Sequence, residues 1–69
     1  MIDEFVPEIV HIQSEGAVVL IKWDGERSSK RCSVVINRKA TDYTFHLDSD
    51  SLSAALIAGL EDYRKRHNP

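Results

Sequence analysis

The sequence lacks several features that stabilise or anchor very small proteins. Cys32 is the only cysteine among 69 residues, so no disulfide can form within the chain, and a single thiol is typical of a reducing compartment. No apolar run approaches the roughly 20 residues that span a bilayer. The acidic start Met1-Ile2-Asp3-Glu4 is unlike a secretion signal. We therefore expect a cytoplasmic protein with a single domain over residues 1–69.

The sequence also lacks the motifs of metal, nucleotide and catalytic sites. His11, His46 and His67 and the lone cysteine show none of the close paired spacing of zinc ligands. The three glycines are too far apart for a phosphate-binding loop. Cys32 lies inside an apolar, strand-like segment, which suits a buried thiol better than a nucleophile. We therefore predict a protein that is not an enzyme and that uses no metal and no cofactor.

The formal net charge of −2 hides a segregation of charge along the chain. Residues 1–15 carry a net −4, residues 16–39 a net +4, residues 40–62 a net −5 and residues 63–69 a net +3. Segregated charge steers a protein toward a surface of complementary charge. The alternative is a solvated surface with no binding role.

Four segments have the composition of β-strands. The first is Val6 to Gln13, where Pro7 suits a strand start or an edge strand. Ala17 to Trp23, Arg31 to Arg38 and Thr41 to Asp48 are rich in β-branched and aromatic residues. Short turns separate these segments, so we predict an antiparallel meander of three to four strands.

A helix should follow the last strand. Good N-cap residues fill positions 48–51, and cations occupy positions 64–66, so the pattern predicts a helix over about residues 50–66. Gly59 costs roughly 1 kcal/mol relative to alanine in mid-helix. A close approach of another element would justify it, and the alternative is that the glycine is simply tolerated. One C-terminal α-helix packed on one sheet face gives an α+β fold. The apolar stripe of the helix comprises Leu52, Ala55, Leu56, Gly59, Leu60 and Tyr63. The predicted core includes Leu20, Val34, Phe45, Leu56 and Leu60.

Both faces of the predicted sheet are apolar. Side chains alternate between the two faces of a strand, so Val18 and Leu20 point one way, and Val19 and Ile21 the other. One helix covers only one face, and Ile57 adds apolar surface outside the helix stripe. Surplus apolar surface usually marks an interface, so we predict a homodimer with two-fold symmetry. The alternative is that the N-terminal residues fold over the open face.

One hairpin combines aromatic and basic residues. Aromatic and arginine side chains carry much of the energy of protein interfaces, and arginine binds carboxylates and phosphates through two parallel hydrogen bonds. We predict that this hairpin binds a protein partner with an acidic surface. The chain would then be a stand-alone protein-interaction module, such as a small inhibitor or accessory protein that phages and mobile elements use against host or defence complexes. The predicted binding residues are Trp23, Arg27, Lys30, Arg31 and Arg38.

An aromatic ring among cations is also the chemistry of single-stranded nucleic-acid binding. The predicted order of four strands and a C-terminal helix, with Gly-Ala-Val-Val-Leu-Ile at residues 16–21, resembles the positive-cofactor-type single-stranded DNA-binding domain. The resemblance implies a single-stranded nucleic acid as the alternative partner.

Overall fold

The computed structural model describes residues 2–26 and 28–67. It shows a three-stranded antiparallel sheet followed by a C-terminal helix, as predicted, and an α+β fold. None of the helices in these two ranges is long and apolar enough to cross a bilayer. In chain order the elements are a 3₁₀ turn (Ile2–Glu4), α1 (Val6–Ser14), β1 (Val18–Trp23), β2 (Cys32–Arg38), a 3₁₀ turn (Lys39–Thr41), β3 (Tyr43–Ser49) and α2 (Leu52–His67).

The segment predicted as the first strand, Val6 to Gln13, is a helix. Pro7 lies in its first turn, where the missing N–H leaves no helical hydrogen bond unmade. Phe5, Ile9 and Ile12 recur at helical spacing and pack into the core, with Ile12 only 2% exposed. The described residues therefore form a sheet of three strands. The order of four strands and a helix, on which the resemblance to the positive-cofactor-type domain depended, does not occur in the described part of the chain.

The strand register places one continuous apolar row on one face of the sheet. Ile36 of β2 lies between Val19 of β1 and Phe45 of β3. Val34 lies in the same way between Ile21 and Leu47. Val34 and Ile36 are both 0% exposed, so the centre of the core lies along β2.

Helix α2 contributes the other half of this core. Its buried residues are Ala55, Leu56, Gly59, Leu60 and Tyr63, which agrees with the predicted stripe. Ser51 begins the helix, and its hydroxyl accepts a hydrogen bond from the backbone N–H of Ala54 at 3.2 Å. A Cβ atom at Gly59 would lie 3.0 Å from Cδ1 of Ile36 and 3.0 Å from Cε2 of Phe45. Of the two explanations for Gly59, these distances favour the close approach of the sheet.

The predicted core is correct except at β1. Val34, Leu56 and Leu60 are buried, and Phe45 packs half-buried against them. Leu20 was predicted to be core, but it is 59% exposed. The register with β2 turns its neighbours Val19 and Ile21 toward the core, so Leu20 must point to the other face.

Candidate protein interface

The second face of the sheet lies opposite the buried Val34 and Ile36. Its apolar side chains belong mainly to β1 and β2, and its polar side chains mainly to β3. On this face Leu20 of β1 lies beside Val35 of β2, which in turn lies beside His46 of β3. The flanking cross-strand rows are Val18–Asn37–Thr44 and Lys22–Ser33–Asp48. The apolar side chains of this open face therefore collect at β1 and β2, while β3 carries polar groups.

Strand β1 exposes three large apolar side chains. Val18 is 52%, Leu20 59% and Trp23 63% exposed. Val18 and Leu20 alternate with Val19 and Ile21, which pack against the core. One row of β1 side chains therefore holds the strand to the core, and the other row faces solvent. Trp23 ends the strand. Trp23 shares the sheet face of Val19 and Ile21, so we term Val18 and Leu20 the β1 surface, and exposed apolar groups of this kind mark interaction sites.

A groove of about 240 Å³ opens beside the start of β1. Ile9 and Gln13 of α1 form one wall, and Ala17, Val18 and Val19 form the other. The groove adjoins the β1 surface through Val18, and four of its five lining residues are apolar.

The backbone of β1 has a free outer edge in the described part of the chain. β1 is the first strand in the sheet order and pairs only with β2. The N–H of Asp24 donates to the carbonyl of Arg31 at 2.8 Å, which continues the β1–β2 ladder by one pair. Bonded and non-bonded pairs alternate in an antiparallel ladder, so Val19, Ile21 and Trp23 point their N–H and C=O groups away from β2.

The fold separates the predicted binding residues. Trp23, Lys30 and Arg31 lie at the end of the sheet where the β1–β2 loop is found. Arg38 lies at the far end of β2, six residues from Cys32, a separation of roughly 20 Å along a strand. Arg27 lies outside the described residues. Trp23 and Arg38 therefore lie at opposite ends of the sheet.

The loop that carries Lys30 and Arg31 has mixed charge. Two acidic residues, Asp24 and Glu26, lie at the start of the loop. The carboxylate of Asp24 accepts a hydrogen bond from the N–H of Glu26 at 3.0 Å. The backbone N–H of Lys30 donates to the carboxylate of Asp50. Carboxylates therefore lie among the cations, and the positive block of residues 16–39 does not form a uniformly basic surface.

Arg38 belongs to a polar network that joins three elements. Its Nη1 donates to the hydroxyl oxygen of Tyr63 at 3.2 Å, and the Tyr63 hydroxyl donates to Oε1 of Glu15 at 2.8 Å. Burial and the hydrogen bond to Glu15 raise the pKa of the Tyr63 hydroxyl, so Tyr63 stays protonated as a donor. Sequence reasoning missed this network. The available signal was a tyrosine in an apolar helix stripe, since a buried hydroxyl needs a partner.

A second buried tyrosine strengthens the same region. Tyr43 of β3 is 2% exposed, and its hydroxyl donates to Oδ2 of Asp62 at 2.5 Å. Burial and this hydrogen bond raise the pKa of Tyr43. The rings of Tyr43 and Tyr63 meet edge to face at 5.6 Å, and His67 stacks on Tyr63 at 4.1 Å. The arrangement fixes the end of α2 against β3.

The side chains that could support metal or thiol chemistry are dispersed or buried. Across residues 2–26 and 28–67, no three His, Cys, Asp or Glu side chains group as a metal ion would require. Cys32 is 8% exposed, which confirms the predicted buried thiol.

Protein-family models, curated proteins and solved structures each yield no match to this chain. The β1 surface, the adjoining groove and the free backbone edge must therefore be interpreted from their own chemistry.

Proposed function

We propose that this chain is a non-enzymatic protein-interaction module whose interface is centred on the β1 surface. The observation that carries this proposal is the exposure of two large apolar side chains on one face of one strand, 52% at Val18 and 59% at Leu20. Full burial of a large apolar side chain contributes about 1.5–3 kcal/mol. Most of that free energy is unused in this fold and is available to a partner.

The partner we propose is a protein with an apolar centre and an acidic rim. Lys22 of β1 and Lys30 and Arg31 of the β1–β2 loop are exposed, and charges at a rim chiefly raise the association rate and select the partner. The proposed role is that of a small inhibitor or accessory protein of a host or defence complex. A reducing, cytoplasmic environment would keep Cys32 as a thiol.

The test is affinity capture from host cells with two matched variants. Leu20→Glu places a charge in the β1 surface. Ile57→Glu makes the same kind of change on α2, where Ile57 is 49% exposed. We expect the unmodified chain and Ile57→Glu to capture the same protein and Leu20→Glu to lose it, with circular dichroism showing that all three are folded. Equal capture by both variants would contradict the proposal, as would no capture by the unmodified chain.

A single-stranded nucleic acid is the second candidate, because the exposed indole of Trp23 can stack on a base. The carboxylates of Asp24 and Glu26 beside it oppose phosphate binding, so we rank this candidate lower. Quenching of Trp23 fluorescence by an oligonucleotide tests it. Phosphate binding weakens log-linearly with salt as counterions are released. Quenching with that salt response would favour a nucleic acid, whereas protein capture that persists in salt favours a protein.

A further inference from the structure

The free edge of β1 can pair with a second β1 strand. If two copies run antiparallel about a two-fold axis at Ile21, Ile21 faces its own copy and Val19 faces Trp23. These are the residues whose backbone groups point away from β2. Each directly facing bonded pair forms two hydrogen bonds. All the outward groups of Val19, Ile21 and Trp23 in both copies are then used.

Other pairing registers of two β1 strands are less favourable. An axis at Leu20 would pair Trp23 with Ala17, whose N–H already donates to the carbonyl of Ile12 at 3.1 Å. An axis at Lys22 would place Lys22 opposite its own copy, and like charges directly opposed are destabilising. The register at Ile21 instead places Lys22 opposite Leu20 of the other copy, so the two lysines are not directly opposed.

The groove supplies a place for the tryptophan. Val19 and Trp23 are each two residues from Ile21, so the Ile21 axis brings Trp23 of one copy beside Val19 of the other. Val19 lines the groove, together with Ile9 and Ala17. The indole of Trp23 is 63% exposed. In the dimer, Trp23 of each copy would enter the groove of the other copy, as two-fold symmetry requires. Aromatic and β-branched residues are favourable cross-strand pairs.

The edge of β3 is less suited to self-pairing. Its side chains on the open face are Thr44, His46 and Asp48, and His46 Nε2 lies 3.0 Å from Oδ1 of Asp48. A charged and polar edge discourages pairing between sheets.

We propose that a second copy of this chain occupies the outer edge of β1, with the two-fold axis at Ile21 and Trp23 of each copy in the groove of the other. This proposal rests on the proposed function and deepens it, because it assigns Trp23 to self-association. Val18 and Leu20 of both copies remain on one open face of a six-stranded sheet, where a different protein can bind.

Backbone N-methylation tests the pairing without changing any side chain. Synthetic fragments 1–31 and 32–69 can be joined by ligation at Cys32, which allows methylation of one amide. Methylation at Ile21 removes the N–H that faces the second copy. Methylation at His46 is the matched control, since the same alternation of pairs points that N–H away from β2 at the other edge.

We expect sedimentation velocity to show dimers for the unmodified chain and for the His46 control. Methylation at Ile21 removes two hydrogen bonds per dimer and inserts methyl groups between the strands, so the dissociation constant should rise by at least about tenfold. Trp23 is the only tryptophan, and its emission should shift to shorter wavelength as dimers form. A monomeric unmodified chain, or equal effects of the two methylations, would overturn the pairing. A dimer with unshifted Trp23 emission would overturn the register.

The variant Leu20→Glu separates this proposal from the proposed function. In the Ile21 register residue 20 faces Lys22 of the other copy, so Leu20→Glu should remain dimeric while it loses capture of the other protein. A monomeric unmodified chain that still captures a protein through Leu20 refutes self-pairing and leaves the proposed function in place. A dimer that captures no protein refutes the proposed function and leaves self-pairing in place.

Discussion

Gly59 is the position where α2 comes closest to the sheet, and Gly59→Ala tests that contact. The added methyl would lie 3.0 Å from Cδ1 of Ile36, 3.0 Å from Cε2 of Phe45 and 3.2 Å from Cδ2 of Phe45. Favourable separations between carbon atoms are about 3.5–4.0 Å. The substitution therefore overfills the space between the helix and two strands.

Two opposing effects decide the change in the free energy of unfolding. Alanine is favoured over glycine in a helix by about 0.8–1.0 kcal/mol. Overpacking a filled core costs typically about 1–3 kcal/mol. We expect Gly59→Ala to destabilise the fold by about 1 kcal/mol net, which corresponds to roughly 4–8 °C in Tm for a domain of this size.

Urea denaturation of four variants would measure each effect. Ala54→Gly at an exposed position of α2 gives the helix-propensity difference in this chain. Ile36→Val removes the Cδ1 atom that the methyl added by Gly59→Ala would meet, and alone it should cost about 0.5–1.5 kcal/mol. In the double variant Gly59→Ala/Ile36→Val, the loss should be smaller than the sum by about 0.5 kcal/mol or more, because the two positions are in contact.

One result would refute the reasoning. If Gly59→Ala stabilises the chain by as much as Ala54→Gly destabilises it, the methyl meets no resistance. The glycine would then be an ordinary helix residue. Strict additivity with Ile36→Val would lead to the same conclusion.

Two further predictions concern the core and the tyrosine network. Leu56→Ala should lower the free energy of unfolding by about 2–5 kcal/mol because Leu56 is 0% exposed. Ile57→Ala, at the next residue and 49% exposed, should lower it by at most about 1 kcal/mol. Equal shifts in Tm would contradict the assigned helix face. Burial raises the pKa values of Tyr43 and Tyr63 above the ordinary value of 10.0, so the unfolded chain releases these protons first and stability should fall as pH rises above about 10. The urea midpoint measured from about pH 8 to about pH 11 should fall less steeply for Tyr63→Phe, and identical slopes would argue against a raised pKa.

The elements with clear periodicity could be predicted from the sequence. The three strands of the sheet, α2 and its buried stripe all follow from residue spacing, whereas the contacts of Gly59 required the structure. The segment Val6 to Gln13 was misassigned because its β-branched residues favour a strand, while the spacing of Phe5, Ile9 and Ile12 favours a helix. Contacts with the core decide between such balanced local preferences, and those contacts cannot be read from so short a segment.

The candidate site was predictable only in outline. Two apolar sheet faces were expected, but residues 18–21 contain no polar side chain to mark the outer row, so Leu20 was assigned to the core. Membership of one hairpin suggested that Arg38 lies near Trp23, although the length of β2 holds them apart. The hydrogen bond between Tyr63 and Glu15 joins residues 48 positions apart, and no local pattern predicts that pairing.

This long-range attachment of α1 determines the order in which the chain can fold. β1 contacts β2, β2 contacts β3 and β3 contacts α2, so these four elements assemble through short connections. α1 reaches α2 through Tyr63–Glu15 and through Glu8–Arg64 at 3.1 Å, and closing such long loops carries a larger entropic cost. We therefore expect α1 to dock last and to undock first. Its amides should exchange with deuterium through local opening, while those of β2 exchange only when the whole domain unfolds.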